Sequence, residues 1–333
     1  MDSPSLSVII PTKNRTTDLI NTLRSVFTQT RQPDEIVIVD QSNSNDTNRA
    51  VKALINELHI QPNIVYIHDQ QISGASQARN RGFEQSRGNY IFFLDDDVTI
   101  QPNYIETCLS ILENSNQLDG VAGYRIVPGE EINKFRLLLL GLFYIGPFRY
   151  YYHNMKLTSK ALQKKSSNVL VKLDAIGGGW FLIKRRVFES IKYDENLIGI
   201  CEDQDFFIRA SSRFEFAITL DTFVIHRKST ANAYYLNRVK DKDHHECKIV
   251  SMSYLHKKNF CGKLLNNLCY GWLCIGLFLD AARSSLFTLS FAPIKGALIG
   301  LYKVFEGFKD TSMIVKSLRE PKRKSLCDTE YRK

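Results

Sequence analysis

Three acids stand together in YIFFLDDDV (residues 90–98), where Asp95, Asp96 and Asp97 follow directly on a run of large apolar side chains. Two carboxylates about 4 Å apart repel by roughly 4 kcal/mol at an effective dielectric of 20, so a buried strand that runs into three of them needs compensating positive charge. Hard carboxylate oxygens suit Mg2+ or Mn2+, which makes a divalent-metal site one reading; a solvated turn is the other. In an extended segment Asp95 and Asp97 share one side and Asp96 takes the opposite one. That alternation would give the first and third acids to a metal and the second to another group. A second acidic set, Glu202, Asp203 and Asp205, lies in GICEDQDFF (199–207). It is either the acid-rich start of a helix, favoured by the helix dipole, or a place where a base can work. In AIGGGWFLIKR, glycines 177 to 179 allow close approach of the backbone and Trp180 offers an aromatic face for stacking, although a tight turn before a strand explains the same residues. His226 closes FAITLDTFVIH as a structural histidine or a ligand, while His244 and His245 read as surface residues.

These residues need elements to hold them, and the first third of the chain supplies an alternation of two periods. LSVIIP (6–11), DEIVIVD (34–40), NIVYIH (63–68) and YIFFL are short, continuously apolar strands. Between them run three helical segments. The first has Leu19, Leu23, Val26 and Phe27 at helical spacing behind a cap at Thr17 or Asp18, and the third is capped by Ser73. Such alternation predicts βαβ units, a mostly parallel sheet and helices on both faces. Ligands of such sheets bind outside the carboxyl ends of the strands. PTKNR, Asp40, the segment holding Arg79 and the acid triplet all sit at such ends, and their convergence is the strongest signal in the chain.

Beyond residue 120 the pattern loosens. The apolar run Leu137–Phe148 has only 12 uncharged residues, a buried helix or an apolar flap, and strand signals return at 168–185 and 216–227. The expected division is a domain over 1–230, with a nucleotide-binding part at 1–120 and an acceptor part at 121–230, followed by a helical region at 231–333. Leu264–Leu279 is uncharged for 16 residues, short of the roughly 20 a spanning helix needs. Ile294, Leu298, Leu301, Phe305 and Phe308 share one helical face, with Lys295, Tyr302, Glu306 and Lys309 opposite, the pattern of a helix lying in a membrane interface.

Charge divides the chain in the same sense. Residues 1–134 hold 11 Lys and Arg against 17 Asp and Glu, whereas 135–333 hold 33 against 18, a balance of +15. The basic residues alternate with apolar stretches and carry no nucleic-acid motif, so the expected partner is an anionic membrane surface and not nucleic acid. Seven scattered cysteines without a CxxC pair fit a reducing compartment, and the opening MDSPSLSVII lacks the form of a secretory signal. Together these give an expectation of a peripheral protein on the cytoplasmic, inner face of the cell membrane.

SVIIPTKNR, IVIVDQSNSNDT, GASQARNRG, YIFFLDDDV, GGGWFLIKRRVF and EDQDFFIRA resemble, in order and spacing, the family 2 glycosyltransferases of the GT-A fold, over residues 6 to about 230. The resemblance implies inverting transfer of a sugar from a nucleotide diphosphate donor, UDP or dTDP foremost, to a glycan or lipid-linked acceptor, with Mg2+ or Mn2+. It implies that Pro11, Thr12, Asn14 and Arg15 line the nucleotide and that Asp40 reads the base, with Gln41 standing where many members have a second acid. Arg79 would reach the diphosphate or steady the acid loop. Asp95 and Asp97 would hold the metal, with His226 as a further ligand, and Asp96 would face the sugar-nucleotide. Asp203 would be the catalytic base, and Glu202, Gly178, Gly179 and Trp180 would meet the acceptor. A nucleotidyltransferase, which usually needs a glycine in its first loop, and a non-catalytic membrane scaffold are the competing classes.

Overall fold

The computed structural model describes residues 5–128, 134–149, 169–173, 178–197, 200–227 and 242–307. The chain divides into two compact units, one of Met1–Glu130, Asn154–Glu195 and Asp203–Ser229, the other of Glu131–His153, Asn196–Glu202 and Thr230–Lys333. Gly177 and the basic C-terminal tail, with Phe308 and Lys309, lie outside the described residues.

The first unit begins with the expected alternation: β1 (Leu6–Thr12), α1 (Thr16–Phe27), β2 (Glu35–Asp40), α2 (Asp46–Leu58), β3 (Ile64–His68), α3 (Gly74–Gln85) and β4 (Tyr90–Leu94). It continues with β5 (Val98–Ile100), α4 (Tyr104–Glu113) and β6 (Gly120–Ile126); α5 (Lys134–Phe143) belongs to the second unit. β7 (Leu170–Leu173), β8 (Trp180–Lys184), α6 (Arg185–Ser190), α7 (Glu202–Ala210) and β9 (Phe216–His226) complete the series. The strand order is β3-β2-β1-β4-β8-β6-β9-β5, with β7 also on β9. β3, β2, β1 and β4 are parallel, which is why their residues are apolar without interruption: both faces are covered. α1 begins one residue before the expected caps, with Arg15 at its N-cap position. Pro11 does not end β1, which runs on to Thr12; β4 pairs only with Leu6–Ile9, so no ladder bond to β4 is due at Pro11.

Two antiparallel pairings decide the rest. β8 lies against β4 with Leu94 opposite Trp180, which sets Gly179 beside Asp95. β9 lies against β5 with Val98 opposite His226, which brings a histidine from late in the chain to the acid triplet. The core below is dense in aromatic rings: Phe93, Phe181, Phe188, Phe206 and Phe207 are all fully enclosed.

The second unit includes α5, α8 (Lys242–Asn259), α9 (Leu264–Thr288) and α10 (Ala292–Gly307). α10 approaches α8 through small residues: a Cβ on Gly296 would come within 2.0 Å of the Lys242 carbonyl oxygen, and one on Gly300 within 3.0 Å of that of Glu246. Leu298 and Phe305, on the expected apolar face, are left exposed, together with Tyr302. α9 is apolar on two sides. Cys269, Leu273, Leu277 and Ala281 are buried, while Leu265, Leu268, Trp272, Ile275, Leu279 and Leu286 recur every three, four or seven residues along an exposed stripe. The helix runs past the uncharged 16 residues because Asp280 is neutralised by Lys248 at 3.4 Å and Arg283 at 2.9 Å. By length and composition alone it is able to cross a membrane. His245, read as a surface residue, is buried in α8.

Gly82 of α3 faces the sheet, where an added Cβ would lie 2.4 Å from Ile9 Cγ2 and 3.3 Å from Val39 Cγ2. Helix propensity alone favours Ala over Gly by about 1 kcal/mol, but forcing a methyl into a filled interface costs about 1–3 kcal/mol. Gly82→Ala is therefore expected to lower stability in urea titration by up to about 2 kcal/mol. A stabilised variant would show that α3 can lift from the sheet.

Candidate active site

The acid triplet does not continue the strand. Asp95 to Asp97 form a turn between β4 and β5, with the Val98 amide donating to the Asp95 carbonyl at 3.3 Å. The chain has to turn here because β5 leaves to pair with β9, so extended alternation is not what separates the acids. They are separated all the same. Asp96 turns toward β1 and α1, accepting from Thr12 Oγ1 at 2.7 Å and from Arg15 Nη1 at 2.8 Å. Asp95, Asp97 and His226 each offer one ligand atom, and these atoms all lie within 4.8 Å of one another.

The repulsion among the acids is met by fixed cations. Arg79, only 2% exposed on α3, donates from Nη2 to Asp95 Oδ1 at 2.8 Å. Arg15 Nη1 reaches Asp97 Oδ2 at 3.1 Å as well as Asp96, and His226 Nε2 stands 3.3 Å from Asp97 Oδ1. Arg227 donates its amide to the Asp97 carbonyl at 3.0 Å and its guanidinium to Thr22 at 2.9 Å and to Thr99. Burial pushes the Asp95 carboxyl above the usual range; Arg79 opposes this, while Asp97 and Asp203 add to it. Burial pushes Asp96 up to about 7 against the pull of Arg15. Burial acts on Asp97 too, but the hydrogen bond and charge of His226, with Arg15 and Arg227, outweigh it and hold that carboxyl at about 2. Two acids side by side are thus driven in opposite directions, Asp96 upward by burial and Asp97 downward by its neighbours.

Gly179 forms the other wall. Its carbonyl accepts from the Asp95 amide at 2.7 Å and its amide donates to Asp95 Oδ2 at 3.2 Å. A Cβ at this position would sit 2.0 Å from Asp95 Oδ1, so the missing side chain is the space in which the carboxylate lies. Gly178, at φ +97°, makes the turn in front of the Trp180 ring. That ring is buried, with Arg125 5.8 Å above it and His226 6.1 Å away.

Asp203, at the head of α7, accepts from the Tyr193 hydroxyl at 2.9 Å and lies 3.4 Å from Arg79 Nη1. The same arginine therefore faces Asp95 and Asp203. Asp205, in the same acidic stretch, is fully buried and holds Arg209 Nε at 2.8 Å, an internal tie of the helix. Glu202 is the first residue of α7. Asp40 is enclosed at the end of β2, taking the Ser42 amide at 2.9 Å and the Tyr66 hydroxyl at 2.5 Å. Asn14 adopts φ +54° and ties the first loop to the second, its amide donating to Ser42 Oγ at 2.7 Å.

Two carboxylates and an imidazole converging from two chain segments fit a divalent cation, and Mn2+ accepts such a mixed oxygen–nitrogen set more readily than Mg2+. The ring nitrogen His226 Nδ1 is buried without a hydrogen-bond partner among the described residues. No motif or periodicity marked out Tyr193, Thr22 or Arg227. The last of these follows His226 directly, and the others lie in unremarkable helix and loop contexts. Gly179→Ala is expected to push Asp95 from its seat and to remove Mn2+-induced thermal stabilisation while circular dichroism stays native. Stabilisation by Mn2+ equal to that of the unmodified protein would show that Asp95 does not depend on the glycine.

Comparison with known proteins agrees with this architecture. Residues 7–192 match the family described as Glycosyl transferase family 2. An uncharacterized glycosyltransferase of Methanocaldococcus jannaschii is 24% identical over 267 residues, covering 79% of this chain and 84% of that protein. Glycosyltransferase GlyA of Streptococcus pneumoniae is 28% identical over 194 residues, 58% of this chain but only 26% of its own length. Among solved structures, a mannosyltransferase of Pyrobaculum calidifontis in complex with GDP-Man and Mn2+ superimposes with a TM-score of 0.54, at 14% identity and over 95% of this chain and 86% of that one. Since the family match spans more than half of the residues, and the sheet with its covering helices has the GT-A form, this chain belongs to the family 2 glycosyltransferases.

Proposed function

We propose that the enzyme transfers a sugar from a UDP- or dTDP-sugar to a hydroxyl of a glycan or lipid-linked acceptor, with inversion at the anomeric carbon and dependence on Mn2+ or Mg2+. The observation that carries this reading is the convergence of Asp95, Asp97 and His226 within 4.8 Å, with Asp203 joined to Asp95 through one buried arginine. Asp95, Asp97 and His226 hold the cation. When bound, it neutralises the charge that builds on the departing diphosphate. Pro11, Thr12, Asn14 and Arg15 line the nucleotide. Asp40 already holds two donors, and a carboxylate has room for about two more, which suits the single N3–H of uracil or thymine.

Asp203 is the base. It takes the proton of the acceptor hydroxyl as that oxygen bonds to the anomeric carbon, and the C–O bond to the diphosphate breaks with its electron pair going to the β-phosphate. Glu202 and the segment Gly178–Gly179–Trp180 meet the acceptor. The test is hydrolysis and transfer with a panel of UDP-, dTDP- and GDP-sugars in Mn2+. Asp203→Asn is expected to cut turnover by about 10²–10⁴-fold while Mn2+-dependent nucleotide affinity stays within about twofold. Retained turnover in that variant would remove Asp203 from the base role. Lack of turnover with every donor in the unmodified enzyme would overturn the transfer reading.

The second unit is the membrane-binding part, at the cytoplasmic face of the cell membrane. Its exposed stripe on α9 and the exposed Leu298, Tyr302 and Phe305 of α10 support a surface that lies in the lipid interface, and the +15 balance of residues 135–333 supports anionic headgroups. α9 lies flat in this reading, since its other face is already buried and Asp280 is committed to Lys248. The full chain should float with vesicles containing phosphatidylglycerol at low salt, and less with pure phosphatidylcholine or at 0.5 M salt, about three times the physiological level. Absence of binding to either vesicle would sink the assignment.

A further inference from the structure

We propose that Tyr193 is a positioning residue for Asp203, fixing which carboxylate oxygen receives the acceptor proton; this assignment rests on Asp203 being the base. Tyr193 lies in the irregular stretch between α6 and α7 and is 3% exposed. Its hydroxyl donates to Asp203 Oδ1 at 2.9 Å. Arg79 Nη1 approaches the same oxygen at 3.4 Å. Among the described residues no partner engages Oδ2, and the Asp203 side chain keeps 18% of its surface exposed. With Oδ1 taken from two sides, the carboxylate cannot turn about its terminal bond without losing both contacts. Oδ2 is left as the atom that accepts a proton.

The tyrosine is itself held at every part. α3 contributes two consecutive residues to it. Arg79 sets its guanidinium 5.0 Å above the ring, while Asn80 grips the peptide, donating to the Tyr193 carbonyl at 3.0 Å and accepting from its amide at 3.1 Å. Phe206 stacks on the ring at 4.8 Å and 18°, and Phe93 meets it edge-on at 5.9 Å. Asp203 and Phe206 are three residues apart on α7 and share one helix face. One side chain therefore fixes the helix by its ring and the carboxylate by its hydroxyl. Tyrosine meets both demands, because its apolar body packs in the core while its polar tip reaches a partner.

Tyr193→Phe removes the hydroxyl and keeps the ring. With the donor that the sugar-nucleotide panel identifies, kcat is expected to fall roughly ten- to a hundredfold, the scale of a lost hydrogen bond to a charged group. Donor KM, affinity for UDP with Mn2+ by titration calorimetry, and melting temperature to within about 2 °C should remain unchanged. The double variant Tyr193→Phe/Asp203→Asn should be no slower than Asp203→Asn alone, because the hydroxyl acts through that carboxylate. If Asp203→Asn is crippled but Tyr193→Phe turns over normally, the positioning role falls and the base reading stands. If Asp203→Asn turns over normally, the base reading falls and takes the positioning role with it, as does failure of the unmodified enzyme on every donor. A joint fall of kcat, nucleotide affinity and melting temperature would make Tyr193 structural only, and an additive double variant would likewise refute action through Asp203.

Discussion

Carboxylates crowded into a dry corner repel one another, and much of the catalytic unit is arranged to contain that repulsion. Arg79 from α3 sets its charge against Asp95, Arg15 from the head of α1 meets Asp96 and Asp97, and His226 brings its imidazole to Asp97 from the far end of β9. Removing one partner of a buried ion pair typically costs about 3–5 kcal/mol, because the survivor is left without solvent or counter-charge. The acids and bases at this corner therefore act as one assembly. Local stability and the capacity to accept a divalent ion come from the same charges.

The parallel half of the sheet supplies the acids but not their surroundings. Those arrive through β8 and β9, which run antiparallel to their neighbours β4 and β5. Register does this work. Because Leu94 pairs with Trp180, the residue before the tryptophan has to stand beside Asp95, and only glycine leaves space for the carboxylate. Because Val98 pairs with His226, the imidazole reaches Asp97 from 129 residues further along the chain. The glycine read as room for close backbone approach is also the seat of an acid.

The four parallel strands and their three helices were legible in the sequence, since continuous apolar runs alternating with helical spacing have few other solutions. The separation of Asp96 from Asp95 and Asp97 was also legible, although the premise of an extended chain was wrong: the triplet is a turn, and Thr12 with Arg15 draws the middle acid aside. Arg79 could be picked out as a residue that steadies the acid loop, but not as the link to Asp203, since that link depends on how α3 and α7 pack. Tyr193 was invisible. A tyrosine between two helices carries no periodic signal, and its importance comes from packing that the sequence does not display, with Asn80 of α3 on its peptide and Asp203 of α7 on its hydroxyl. The burial of His245 was missed for the same reason, as a charged helical segment does not announce which of its faces is covered.

One short stretch of α3 shows how densely such demands can be stacked. Ala78 packs in the core, Arg79 faces two acids, Asn80 grips a distant peptide, Gly82 touches β1 and β2, and Phe83 is buried; of these six successive positions only Arg81 faces solvent. A helix usually has a wet side on which substitutions accumulate harmlessly, and here that side has narrowed to a single residue. Among divergent descendants of this protein, Arg81 should drift freely while its neighbours on both sides stand nearly still. A lineage that changed Arg79 or Asn80 would have to rebuild the acidic corner rather than adjust it.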